Sequence, residues 1–147
     1  MKISCNTVTL LRKNQLVFSH PESWIASTID QNIYYLKNMY SDLCCGEIFI
    51  FASSVEINYR KLIVCHKNFL EKIGYLFNGF ICNEESEEVE IRLSKNNRVL
   101  YARMSIKKIG VLLVAIFLIN IPREVSIEWW AINKRAFEIV RDSLQIE

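Results

Sequence analysis

The sequence predicts an α+β fold, a mainly antiparallel sheet with three helices packed on it. Three observations carry that prediction. Strand-like runs follow one another in the second half of the chain instead of alternating strictly with helices. The run from Ile109 to Ile119 is apolar at odd and even positions alike, as a strand buried on both faces should be. Apolar residues at three- and four-residue steps recur in the first half, in the middle and at the C-terminal end.

The chain of 147 residues is the size of one domain and can bury a core without disulfides or metal. It has no Pro/Ser/Gly-rich linker, low-complexity tract or internal repeat, so residues 1–147 are read as a single α+β domain. Four glycines and two prolines predict long elements joined by short loops.

The elements follow in order. The runs NTVTLL and QLVFS, separated by the polar RKN, read as an N-terminal hairpin. Next, Ser19 to Gly46 reads as the first helix. Ser19 or His20 serves as cap, Pro21 takes the first helical position and Glu22 faces the positive end of the dipole. Ile25, Ile29, Ile33, Leu36, Tyr40 and Leu43 form its apolar stripe, and Gly46 ends it. EIFIFA (Glu47–Ala52) is apolar on both faces and reads as an inner strand. VEINYR (Val55–Arg60) alternates and reads as a further strand.

A middle helix is expected from Lys67 to Asn78, with Phe69, Leu70, Ile73, Leu76 and Phe77 on its apolar side. A meander follows. Val89, Ile91 and Leu93 alternate with Glu90 and Arg92, and SKNNR turns the chain through two asparagines that tolerate positive φ. Val99–Ile106 is the return strand and Ile109–Ile119 the third, with Lys107 and Lys108 between them. A helix from Ser126 to Leu144 closes the chain. Ser126 is its cap, and Ile127, Trp130, Ala131, Phe137, Val140 and Leu144 form its buried stripe.

The apolar run is too short for a membrane helix. Spanning a bilayer takes about 18–20 consecutive apolar residues, whereas Ile109–Ile119 is interrupted by Asn120 and stopped by Pro122. No membrane association is expected. The five cysteines are odd in number and irregularly spaced, and no apolar leader precedes them, which predicts reduced thiols in a cytoplasm. Two histidines and the absence of any C-x-x-C or H-x-x-H spacing speak against a metal. The net charge of +2 and the scattered basic pairs give no nucleic-acid footprint.

Motifs for common cofactor chemistry are absent: there is no G-x-G-x-x-G, Walker loop, G-x-S-x-G or H-E-x-x-H. Catalytic and cofactor-binding residues are therefore expected to be none. Cys65 and His66 are adjacent, but neighbours on a strand point to opposite faces and cannot form a dyad directly.

What stands out is charge and aromatic surplus. Glu84, Glu85, Glu87 and Glu88, with Glu90 close behind, concentrate negative charge before the meander, either as a solvated loop or as a docking surface for a basic protein. Trp129 lies beside the buried stripe of the last helix, and Trp24 opens the first; either could anchor a partner. The expectation is a small binding protein that neutralises a macromolecular partner. Its concrete form is a bacterial immunity- or antitoxin-type inhibitor of a basic, nuclease-like toxin. Two other classes remain open: a secretion or folding chaperone that holds a client as a dimer, and a small cofactor-free acid–base enzyme.

Overall fold

The computed structural model describes residues 3–10, 14–30, 33–40, 43–54, 59–80, 88–110, 112–121 and 126–146. Ten strands and two helices are present among them: β1 (Ile3–Leu10), β2 (Asn14–Pro21), β3 (Trp24–Asp30), β4 (Ile33–Tyr40), β5 (Leu43–Ser54), α1 (Tyr59–Lys72), β6 (Leu76–Phe80), β7 (Glu88–Lys95), β8 (Arg98–Ile109), β9 (Leu112–Asn120), α2 (Ser126–Ser143) and β10 (Gln145–Ile146).

A seven-stranded sheet in the order β3-β4-β5-β9-β8-β7-β6 forms the centre, antiparallel throughout. The chain climbs β3-β4-β5, crosses to the far edge through α1, and returns through β6-β7-β8 so that β9 docks beside β5. All nine residues of β9 are buried, as its two-sided apolar pattern requires of a central strand. Even-numbered residues of β9, with Ile48 and Ile50 of β5, face a core completed by Leu16 and Phe18 of β2 and by Ala136, Phe137 and Val140 of α2. Odd-numbered ones, with Phe49 and Phe51, face a second core closed by Leu70 of α1 and by Tyr75, Leu93, Leu100 and Met104. The small sheet β1-β2-β10 and α2 thus cover one side of the large sheet, and α1 covers the other.

Two turns follow from local chemistry. Asn96 and Asn97 both take positive φ, 53° and 62°, which the two-residue β7–β8 hairpin demands. Gly74, at φ 106°, ends α1: its N–H reaches Glu71 O, and the Tyr75 N–H reaches Leu70 O at 2.9 Å.

Three expectations are corrected. The helix expected over Ser19–Gly46 is instead the end of β2, then β3, β4 and the start of β5. The middle helix exists but is shifted: α1 starts at Tyr59, inside the expected strand Val55–Arg60, and ends at Lys72, while Leu76 to Asn78 belong to β6. Residues 55–58 lie outside the described residues. The third difference is at Lys107 and Lys108, which lie within β8 and do not end it; the turn comes at Gly110, φ 57°. Lys107 Nζ donates to Arg141 O at 2.9 Å, placing an ammonium on a last-turn carbonyl of α2. No helix among the described residues is long and apolar enough to cross a membrane.

Candidate functional site

The sequence-predicted site residues fall in different places. Glu84, Glu85 and Glu87 lie outside the described residues, immediately before β7. Glu88 and Glu90 stand on β7, two apart and so on one face. Trp129 lies in α2, but its side chain is outside the described residues; its neighbour Trp130 is half-buried. Trp24 is corrected. Its side chain is only 3% exposed and belongs to the core beneath α2, so it has no surface to offer a partner. The reason is the strand: at the start of β3 the even-numbered positions turn inward, and Trp24 turns inward with Ala26.

The structure brings the acidic strand and Trp130 of α2 together. On β7, Ile91 and Leu93 point into the core on the α1 side, which leaves Glu90, Arg92 and Ser94 on the α2 side. The register sets Glu88 opposite Ser105, Glu90 opposite Arg103, Arg92 opposite Tyr101 and Ser94 opposite Val99. Arg103 Nη2 donates to Glu90 Oε1 at 3.0 Å, and its guanidinium lies 5.8 Å from the centre of the Trp130 ring. One arginine therefore bridges the acidic strand to the helix.

Helix α2 lies over β5 and β9 and reaches β8 at Arg103 and Lys107; on the same side, among the described residues, the start of β8 and the neighbouring ends of β7 and β6 are exposed. Tyr101 is 55% exposed and Val99 is 54% exposed, next to exposed Leu76 on β6, which opposes Ser94. The face thus has an apolar strip (Leu76, Val99, Tyr101) with Arg92 and Ser94 of β7 across from it and Glu90 one step beyond. Sequence reasoning missed the strip. The signal was present in the alternation of VLYARMSI, where Leu100, Ala102 and Met104 are buried and the residues between them must face outward.

Three buried polar clusters were also missed. On the α1 side, Glu47 of β5 accepts from two phenols: Tyr35 OH donates to Oε2 at 2.6 Å, and Tyr75 OH donates to Oε1. Burial, with the Glu47 charge and hydrogen bond adding to it, holds both phenols protonated well above their usual range, so neither is a proton donor of use near neutral pH. Burial first, then the Glu47 charge, also pushes the Cys44 thiol up, away from thiolate reactivity. The cluster fastens Tyr75, just after the end of α1, to the centre of the sheet.

His66 of α1 is the second cluster. Its ring lies 3.9 Å from that of Phe51 and 5.3 Å from that of Phe117, and Nδ1 is buried with no hydrogen-bond partner among the described residues. Burial lowers its pKa to about 3, which makes it a weak base at neutral pH. The Cys65 side chain lies outside the described residues.

Asn133 of α2 is the hub of the third. It accepts from Asn38 Nδ2 at 3.0 Å and donates through its own Nδ2 to Cys45 O at 2.9 Å and to Asn120 Oδ1 at 2.7 Å. Asn38, Gly46 and Asn120 form one row across β4, β5 and β9. Gly46 leaves the gap that Asn133 fills, since a Cβ there would stand 2.5 Å from Asn133 Nδ2. Every donor and acceptor faces inward, so the network is a clamp between α2 and the sheet. No group of three or more metal-ligating side chains occurs among the described residues. No protein-family model matches the chain, and no curated protein matches it.

Proposed function

We propose that this chain is a binding protein that receives a basic protein partner on the open face of β6, β7 and β8 beside α2, in the manner of an immunity-type inhibitor of a toxin. The observation that carries the reading is the placement of Glu90, the end of a run with five glutamates between residues 84 and 90, one register step from the exposed Tyr101. Carboxylates at the margin steer a cationic surface inward and set its orientation. A half-exposed tyrosine on a rigid strand supplies the apolar contact that dominates most interfaces. Because Arg103 already pairs with Glu90, the charge offered to a partner comes chiefly from Glu84, Glu85, Glu87 and Glu88. The buried clusters support binding over catalysis: His66 is a weak base, Cys44 a poor nucleophile, and the Glu47 oxygens are engaged by phenols.

The test starts with the tagged chain expressed beside the proteins of its neighbouring reading frames. A retained protein is identified by mass spectrometry, purified and recombined. The expected partner is net basic. Changing Glu84, Glu85, Glu87 and Glu88 together to Lys is expected to slow association by about 10–100-fold at low salt and to flatten its salt dependence. A neutral or acidic partner, or a variant that associates at the wild-type rate with the wild-type salt dependence, would remove the acidic face from the account.

A further inference from the structure

The two helices are attached to the sheet in different ways. Helix α2 is fastened by polar bonds. Asn133 holds β4, β5 and β9, Lys107 of β8 donates to Arg141 O, and the Ser19 N–H donates to Ser143 Oγ at 2.7 Å. Among the described side chains of α1, Val64 and residues 66–72, none makes a hydrogen bond or ion pair to the sheet. The Lys67–Glu71 pair, at 3.8 Å, stays within the helix. The grip of α1 is apolar, through Phe69 and Leu70, and it is narrow, since Val64 and Ile73 are exposed. One turn before Leu70, on the same face, stands a base. His66 is 2% exposed, its ring packs on Phe51 and Phe117, and its Nδ1 has no partner among the described residues.

A proton on that ring would find no counter-charge. On the α1 side of the sheet, β9 and β6 carry no ionisable group. Glu47 of β5 is four residues from Phe51, about 13 Å along the strand, and already engaged by two phenols. The other groups there are Tyr35, which donates to Glu47, and the cations Lys37 of β4, Lys95 of β7 and Lys108 of β8. On α1 itself Lys67, Glu71 and Lys72 are exposed. Past the helix, Gly74 takes φ 106° and Tyr75 is pinned to Glu47, which marks a pivot. We propose that α1 is an acid-operated lid: protonation of His66 releases it from Phe51 and Phe117 while the sheet, α2 and the Tyr75 anchor stay in place. The sign follows from linkage. The closed state holds the His66 pKa at about 3, whereas an exposed imidazole titrates near 6.5, so acid favours the open state. Between about pH 7.5 and 5.0 the opening equilibrium should rise about 30-fold. Opening uncovers an apolar sheet surface around Phe49, Phe51 and Phe117. The lid and the face proposed for a partner lie on opposite sides of the sheet, so either inference can fail without the other.

Native-state amide hydrogen exchange of the full chain tests the lid, read at about pH 7.5 and 5.0, corrected for intrinsic rates and repeated in low urea. The α1 amides are expected to be less protected than those of β9 and to respond only weakly to urea, because a lid exposes little surface. Their protection should fall about 30-fold between the two pH values. His66→Phe should abolish that fall, and His66→Gln takes its place if phenylalanine does not fit beside Phe51 and Phe117. His20, the other histidine, lies on β2 in the opposite layer, so variants at position 66 isolate the α1 response. Exchange of α1 with the protection and urea dependence of β9 overturns the inference, because α1 then opens only when the whole chain unfolds. So does a wild-type α1 whose protection is the same at both pH values, or a fall that both variants keep.

Discussion

Replacing Asn133 by alanine is expected to lower stability by about 3–5 kcal/mol, and the same change should make Gly46→Ala almost free. The first effect follows from what the asparagine holds. Its loss leaves Asn38 Nδ2 and Asn120 Oδ1 buried without their partner, while the Cys45 carbonyl keeps the Ile121 N–H at 3.2 Å. Each orphaned buried group costs about 1–3 kcal/mol, and the cavity adds to it. The second effect follows from the 2.5 Å approach of a Gly46 Cβ to Asn133 Nδ2. In the wild-type background that methyl group must push the amide away from its three partners, at a cost of about 2–4 kcal/mol. With Asn133 truncated, the three atoms nearest that methyl group are gone, and Gly46→Ala should cost under about 1 kcal/mol. Urea unfolding of the four proteins closes the cycle. A coupling of about 2 kcal/mol or more is the expected result. Additive costs would mean that Gly46 and Asn133 do not meet.

His66 gives the second large effect, and it is read in pH. Its folded pKa of about 3 lies below the unfolded value near 6.5. Between those values the unfolded chain binds a proton that the folded chain refuses. The stabilisation is therefore complete above about pH 6.5 and lost progressively as pH falls towards 3, by about 1.4 kcal/mol per unit. Unfolding free energy should drop by about 2.5 kcal/mol between about pH 7.5 and 4.5 from this residue, and the His66 variants separate that share from the carboxyl groups that titrate at the low end. His66→Phe should remove that part of the slope, and His66→Gln serves if phenylalanine crowds Phe51 and Phe117. A wild-type slope that both variants retain would place the acid sensitivity elsewhere.

The legible half of the fold is the half with unambiguous periods. The Ile109–Ile119 run could be placed between layers because both its faces are apolar, and β7 and β8 because Ile91 and Leu93 alternate with charge. Helix α2 was legible in extent, found at Ser126–Ser143; of its expected stripe Phe137 and Val140 are buried and Trp130 half-buried, Ala131 is exposed, and Leu144 is buried just past the helix. The misread stretch was Ser19–Gly46. Ile25, Ile29 and Ile33 are four apart, and a step of four fits a strand's period of two as well as a helix's 3.6. The residues that turned out buried, Trp24, Tyr34 and Leu36, are spaced for a strand, while Ile25 and Ile29 of the expected stripe are exposed. Asp30 and Gln31 fit the polar face of a helix, yet β3 ends at Asp30 and β4 begins at Ile33. Pro21, which suits a helix start, ends β2 opposite Ile3, where a missing N–H is also tolerated.

The candidate site was legible in its charge and not in its geometry. The glutamate run is plain in the sequence, and β7 carries its last member, Glu90, to the α2 side of the sheet beside Arg103. The alternation of VLYARMSI puts Val99 and Tyr101 on the face opposite Leu100 and Ala102, but that α2 leaves them uncovered depends on packing far along the chain. The buried clusters depend on contacts between residues far apart in the chain, such as Asn38 with Asn133 and Tyr75 with Glu47. No local pattern signals them.

Hydroxyl-radical footprinting of the chain, free and bound to its reconstituted partner, tests most directly whether the β7–β8 face is where a basic protein sits. Oxidation of Tyr101, Val99 and Leu76 is expected to fall several-fold on binding, with Ile25 on β3 and Val64 on α1 modified as before. Unchanged modification of Tyr101 and Val99 in a saturated complex would contradict the account.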